Sequence, residues 1–414
     1  EAANMHGILL HTEGRLEEAL VAFRTAESLG HHAAPSNRGN TLLDLGRMQE
    51  ALEAHQSAVD LEPTHPGAQY NLALTQLRLG HWEKGWTAYE ARWRFREVHR
   101  APRAFTQPRW HGEPLNCRRI LLHAEQGLGD TIQFCRYATL VVARGGYPIL
   151  QVQPPVERLL RSLAVVRAGK AEVALLGTTP PDFDLECPLM SLPSVFETTV
   201  DTVPWPGAYL GAGHKTIAEK REAFPDARRD PVQSPYPERR SLRVGLAWAG
   251  NPRYKADLQR SIHFSTLLPL LRTPGVTWIS LQKGPATQQL SAANSSSFVW
   301  DGSSRDRDLA ETAALAATLD LILTTDTSIA HLAGALGKPL WILLPHLADW
   351  RWMQQSEATP WYPTAHLLRQ PAPGDWSSVL NRTIHKLTAF QGALELAPHQ
   401  QPNRSPRPFP QPKA

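Results

Sequence analysis

A six-residue block that returns twice constrains this chain more than any other feature. Gly14-Arg15-Leu16-Glu17-Glu18-Ala19 comes back as Gly46-Arg47-Met48-Gln49-Glu50-Ala51 and, less closely, as Gly80-His81-Trp82-Glu83-Lys84-Gly85. A period of about 34 residues marks stacked helical hairpins, each unable to bury its apolar face alone. The leading Gly predicts the end of one helix. Ala19 and Ala51 are small enough for the next helix to close against it, and Phe23 and Tyr89 fill the groove between units. Leu61-Glu62-Pro63 reads as the turn into the following hairpin. Residues 1–98 are therefore two to three helical hairpins, the third a divergent cap.

The pattern then changes. Pro102, Pro108 and Pro114 break any helix, and 99–117 reads as a linker. From there strand, loop and helix alternate. Ile120–His123 and Ile149–Val152 read as short buried strands, with helices over Thr131–Ala143 and about 156–163. A Pro-, Arg- and Asp-rich stretch at 224–240 reads as a second linker. Alternation restarts with Val244–Trp248, Thr277–Leu281, Leu319–Thr324 and Leu340–Leu344. Such alternation predicts parallel sheets covered by helices. The expected fold is α/β, two Rossmann-like domains at 118–223 and 241–397 with a cleft between them. The Pro-, Gln- and Arg-rich residues 398–414 read as a disordered tail.

Composition excludes several classes. Of 414 residues 42% are hydrophobic and 20% charged, which suits a globular chain. A net charge of +4 is mild; arginines between Arg92 and Arg119 interleave with Trp93, Phe95 and Trp110, but a solvated helix and linker explain them better than nucleic-acid binding. No apolar run approaches a membrane span. Cys117, Cys135 and Cys187 are odd in number and lack metal spacing, which points to a reducing, cytoplasmic setting. No signal peptide is visible, although the chain opens on Glu1 rather than Met.

Four segments carry polar residues at predicted strand ends. Leu321 to Pro339 runs from a strand through Asp326-Thr327-Ser328 directly into a helix, with His331 near the first turn. Unpaired N–H groups and the helix dipole favour a phosphate there. Plain capping would explain one polar residue, not four. Small residues Ala330, Ala333, Gly334 and Ala335 let this helix sit close to its sheet, and Gly337 stops it. Trp248 to Ser261 follows another strand and offers Arg253, Lys255 and Arg260 to a diphosphate. Gln282 and Lys283, after a third strand, are placed to touch a base or ribose. In the first α/β half, Glu125-Gln126-Gly127-Leu128-Gly129-Asp130-Thr131 opens a helix. Its glycines allow close approach to a ligand, but a third glycine is missing, so it is no dinucleotide fingerprint. Asp130 is either a helix cap or a carboxylate facing the cleft. Asp182-Phe183-Asp184 spells a D-x-D triplet, set aside as a metal site. The aromatic stretches Asp349-Trp350-Arg351-Trp352 and Trp361-Tyr362-Pro363 suit either sugar stacking or packing between the halves.

The hairpin array resembles tetratricopeptide repeats. Residues 118–390 resemble bacterial glycosyltransferases related to the lipopolysaccharide heptosyltransferases, in the form fused to such repeats. Gln126-Gly127-Leu128-Gly129-Asp130, Cys187 to Pro193, Trp248 to Pro252, Asp326 to Ala335 and the two aromatic stretches carry this likeness. The domain order is more distantly similar to protein O-GlcNAc transferases. The resemblance implies a GT-B fold, a nucleotide-sugar donor in the C-terminal half, and metal-independent, inverting transfer with no cofactor. It implies that Asp130 is the general base. It likewise implies that Asp326, Thr327, Ser328 and His331 form the donor-phosphate loop, with Arg260 and less surely Lys255 as phosphate-binding cations. Ser328 stands where that family usually has Gly, so heptose is not implied. The expected function is glycosyl transfer to a protein or glycan acceptor recruited by the repeats. The alternatives are an inactive repeat scaffold and a sugar-nucleotide epimerase. The epimerase would need acid and base groups on both faces of the sugar, and only Asp130 stands out.

Overall fold

The computed structural model describes residues 1–95, 105–223, 241–254, 257–292 and 299–396. The expected linker 224–240, Lys255 and the tail 398–414 lie outside the described residues.

Six helices form three hairpins: α1 (Ala2–Thr12), α2 (Leu16–Ser28), α3 (Ala34–Asp44), α4 (Met48–Leu61), α5 (Pro66–Arg78) and α6 (Trp82–Tyr89). The repeated glycines Gly14, Gly46 and Gly80 all sit at positive φ in the turns within the hairpins, a conformation that costs other residues about 1 kcal/mol or more. Ala19 and Ala51 are fully buried, as is Phe23 between units. The third hairpin departs from the expected cap. Its Trp82, Trp86 and Tyr89 are buried because they dock onto the α/β domains.

The first sheet has strands β1 (Arg119–His123), β2 (Tyr147–Val152), β3 (Glu172–Leu175) and β4 (Leu185–Pro188), in the order β3-β2-β1-β4. The second has β5 (Leu242–Ala247), β6 (Val276–Ser280), β7 (Val299–Asp301), β8 (Leu321–Thr325), β9 (Leu340–Leu344) and β10 (Ala365–Arg369), in the order β10-β9-β8-β5-β6-β7. All pairings are parallel. The second order is the doubly wound Rossmann sequence, and the first is its opening four strands. The architecture is a GT-B fold behind an all-helical array. Leu340–Leu344 is buried throughout, which is why it reads as an unbroken apolar run; Leu321–Thr325 is equally buried and ends on two threonines.

The segment 105–117 is not a free linker. Trp110 is fully buried, its backbone N–H donates to Glu186 O at 2.8 Å, and Glu186 N donates to Pro108 O at 3.0 Å. The segment thus lies along β4 at the sheet edge, held by the Trp110 side chain that the proline count concealed. The two α/β domains are also closed on one another. Arg136 donates to Trp361 O at 2.9 Å, Tyr209 N donates to Ala335 O at 3.0 Å, Arg158 pairs with Asp308 at 2.8 Å and Lys220 pairs with Asp306. One apolar cluster runs through α5, α6, the first domain and the facing side of the second. Among the described residues no helix is long and apolar enough to cross a membrane.

Candidate functional site

The loops leaving β1, β5, β8 and β9 meet at the carboxyl ends of the two sheets, the edge where open α/β sheets bind ligands. From the first domain comes helix α7 (Leu128–Phe134), with Gly127 as its N-cap. Asp130 stands at its third position, and Asp130 Oδ2 accepts from Gly127 N at 2.7 Å. Capping and cleft-facing were alternatives in the sequence; the structure has both. Asp130 Oδ1 accepts from Arg351 Nη2 at 2.5 Å across the domain boundary. Burial raises the Asp130 pKa, and the Arg351 charge and the Gly127 N–H oppose the rise.

From the second domain, Thr327 caps the helix Ser328–Ala335 by accepting from Ile329 N at 3.2 Å. Asp326 is therefore not the cap and is half-buried beside it. Burial and the neighbouring Asp349 push its carboxyl up to about 6, against the pull of Arg260 and Arg351. The buried Thr325 hydroxyl near this loop has no hydrogen-bond partner among the described residues, and the Trp352 side chain, which faces the Asp326 carboxyl, also opposes the rise in its pKa. Arg260 is held by Asp257 Oδ1 at 3.1 Å and lies 4.8 Å from the Tyr254 ring centroid. It also packs over Gly250, where a Cβ would fall 2.6 Å from Arg260 Nη2. Arg260 and the Asp326 loop are thus neighbours, as the sequence suggested. Lys255 lies outside the described residues.

His331 differs from expectation. Its Nδ1 bonds the Tyr362 hydroxyl at 2.9 Å, and its ring stacks on Trp352 at 5.3 Å. Burial, with Arg351, Arg136 and Arg260 nearby, holds its pKa well below the usual value, so it is neutral and brings no charge to a phosphate. Its outer edge presses on α7: a Cβ at Gly129 would lie 2.7 Å from His331 Cδ2. Gly129 is there to let the two domains meet.

Gln282 and Lys283 are committed elsewhere. Gln282 Oε1 accepts from Trp248 N and Ala249 N, both at 2.9 Å, and its Nε2 donates to Ala249 O and Lys283 O. All four hydrogen-bonding directions of the amide are occupied, so this side chain shapes the β5 loop. Lys283 Nζ donates to Ser303 O at 2.9 Å, in the Asp306–Lys220 cluster rather than beside Arg260. Gln126 reaches the Tyr89 hydroxyl of the helical array at 3.4 Å. Glu125, the other carboxylate of this loop, is buried in a two-point pair with Arg92, 3.0 and 2.9 Å, so its charge is already committed. Asp182 and Asp184 precede β4 instead of following a strand. They lie at the opposite edge of the sheet, bonded to Arg119.

Sequence reasoning missed Arg351 as a site residue. It donates to Gln133 Oε1 at 2.7 Å and to Asp349 Oδ1 at 2.8 Å besides Asp130. Burial alone would raise Asp349, but Arg351 holds its carboxyl below the ordinary value. The two flanking tryptophans are not exposed for stacking: Trp350 meets Trp86 edge-on at 5.1 Å, and Trp352 stacks on His331 at 5.3 Å. Trp361, of the second aromatic stretch, stacks on Trp82 at 5.2 Å. The alternating aromatic and charged residues of Asp349–Trp352 were the available signal, an arginine between two anchoring rings.

The family model for the TPR repeat matches residues 39–80. The helical array is of the tetratricopeptide kind. Beyond these repeats, the chain is 29% identical over 382 residues to the protein FlbA of Caulobacter vibrioides, covering 86% of this chain and 61% of that protein. It therefore spans about three fifths of that relative's length. Among solved structures it is similar to an ADP-heptose lipopolysaccharide heptosyltransferase II of E. coli (TM-score 0.45, 13% identity, 67% of this chain, 99% of that one). A glycosyl transferase family 9 protein of Veillonella parvula gives TM-score 0.47 at 10% identity, over 69% of this chain and 100% of that one. An O-GlcNAc transferase mutant of Thermobaculum terrenum gives 0.25 at 13%, over 96% and 93%. These overall likenesses are weak, and the fold assignment rests on the strand order. Behind the tetratricopeptide repeats, the two sheets and their facing loops carry the functional argument.

Proposed function

We propose that this chain is a glycosyltransferase that moves a sugar from a nucleotide-sugar donor to a hydroxyl of a protein or glycan acceptor recruited by the repeats. The observation that carries this reading is the placement of Asp130, on the first sheet's loop, opposite the helix N-terminus at Asp326–Ser328 and Arg260 on the second. The donor diphosphate lies against that N-terminus and Arg260, which supply the charge stabilisation that a divalent metal gives in other transferases. Asp130 takes the proton of the acceptor hydroxyl as its oxygen attacks the anomeric carbon. The bond from that carbon to the phosphate oxygen breaks, its electron pair leaves with the diphosphate, and attack from the opposite face inverts the centre.

The test begins with a thermal-shift panel of nucleoside diphosphates and nucleotide sugars on the full chain, since a ligand of the folded state raises its stability. With the donor found, Asp130→Asn should keep donor affinity and lose about 10²–10⁴ in kcat, and turnover should survive chelator. A specific observation favours one competitor, an inert scaffold: both Asp130 oxygens already have partners. A panel without binding or turnover would establish that competitor.

A further inference from the structure

Arg351 is the contact through which the second domain reaches the carboxylate of the first. Its guanidinium is 9% exposed and uses three of its nitrogens on three side chains: Nε on Gln133 Oε1, Nη1 on Asp349 Oδ1 and Nη2 on Asp130 Oδ1. Gln133 and Asp130 both belong to α7, one turn apart, so one planar fork grips that helix at two points. The fork is itself fixed. Its central carbon lies 4.2 Å from the Trp350 ring centroid, and Trp350 is wedged against Trp86 of the third repeat. Arg78 of α5 also donates to Ala348 O at 3.2 Å, just ahead of this loop. Nothing in helix capping requires such a partner, because Asp130 caps α7 with its other oxygen.

We propose that Arg351 is the positioning residue of the transfer reaction: it orients the Asp130 carboxylate from across the cleft and keeps it deprotonated. This rests on the reading of Asp130 as base. The other charges around Asp130 are Asp349 on the Arg351 loop and Glu125 on its own loop, the latter neutralised by Arg92. Both carboxylates favour the protonated, inactive form. Arg351 is the one cation bonded to Asp130 among the described residues, and its charge opposes the rise that burial imposes on that carboxyl. Asp349, in turn, holds the Nη1 edge of the fork, so that the Nη2 edge faces Asp130. Because the loop is braced by α5 and α6, the geometry of the base depends on the docked repeat.

The experiment uses the full chain and the nucleotide sugar that the panel identifies, with its hydrolysis by water as the readout. The acid limb of the kcat/KM profile reports the base in the free enzyme. In Arg351→Met this limb should move up by roughly one to three units, the effect of removing an adjacent arginine from an aspartate. Arg351→Lys keeps the charge but not the fork; it should restore the limb while kcat stays below wild type. A limb that stays in place in a folded Arg351→Met, or that moves as far in Arg351→Lys, overturns the positioning role. If Arg351→Met does not fold, Arg351→Lys against wild type decides between these outcomes. A limb that persists unchanged in Asp130→Asn overturns the base assignment instead. No turnover of any nucleotide sugar by wild type overturns the transferase reading and this inference with it.

Discussion

Replacing Arg92 by methionine should separate the repeats from the α/β domains energetically. Arg92 is fully buried and Glu125 is 2% exposed. Their two hydrogen bonds measure 3.0 and 2.9 Å, and the same guanidinium donates to Glu90 at 2.6 Å and to Ser191 at 2.8 Å. Methionine keeps most of the bulk but strands the Glu125 charge, and removing one partner of a buried pair costs about 3–5 kcal/mol. Against a total stability of roughly 5–15 kcal/mol, this is a large fraction. Removing the stranded charge as well should recover most of it, so Arg92→Met with Glu125→Gln should be markedly more stable than Arg92→Met alone. Urea unfolding followed by tryptophan fluorescence reads both variants, since Trp82, Trp86, Trp350 and Trp361 all lie at this junction. A loss below about 1 kcal/mol in the single variant, or a double variant no better than the single, would refute the reasoning.

Gly129→Ala should lower stability by about 1–3 kcal/mol through overpacking against His331, although alanine is the better helix former; a gain in denaturant midpoint would show that the domains do not meet there. Asp326 carries a folded pKa of about 6, above its ordinary value, so its contribution is present at acid pH and lost as pH rises through 6. Stability should therefore fall across that window, and Asp326→Asn should flatten the fall when midpoints are compared at pH 5 and 7. Arg260→Ala should weaken binding of the panel's nucleoside diphosphate by roughly 1.5–3 kcal/mol, and unchanged calorimetric affinity would remove Arg260 from the donor site.

The repeat period was legible from the recurring Gly-led blocks, and strands β1, β2, β5, β6, β8 and β9 from their apolar runs, whereas β7 and β10 were not read. Strand β3 escaped notice because it is a half-exposed edge, and β4 because Glu186, Cys187 and Pro188 interrupt its apolar character. Asp130, Asp326 and Arg260 were singled out by their place after strands. Sequence position could not show that Gln282 and Lys283 are occupied by backbone carbonyls and amides, or that Glu125 belongs to Arg92, 33 residues away in sequence. The same limit hid Arg351, whose partner Asp130 is 221 residues distant. Nor did the sequence reveal that the first repeat hairpins and the third have different neighbours, a division that bears on removal of the array. Cutting the chain near Arg118 would expose the faces of Trp350 and Trp361 and leave Glu125 without its cation.

The apolar clusters along the array shrink with distance from the sheets. The third hairpin shares the large core of both domains. The second centres a modest cluster that takes in Leu20 of α2, with Leu347 alongside, and the outermost cluster is Leu10, Ala19, Ala22 and Phe23. Resistance to local opening follows the depth of such packing, so stiffness rises along the described hairpins towards the sheets. The third hairpin is a bolted foot, and it fixes the heading of the other two relative to the cleft.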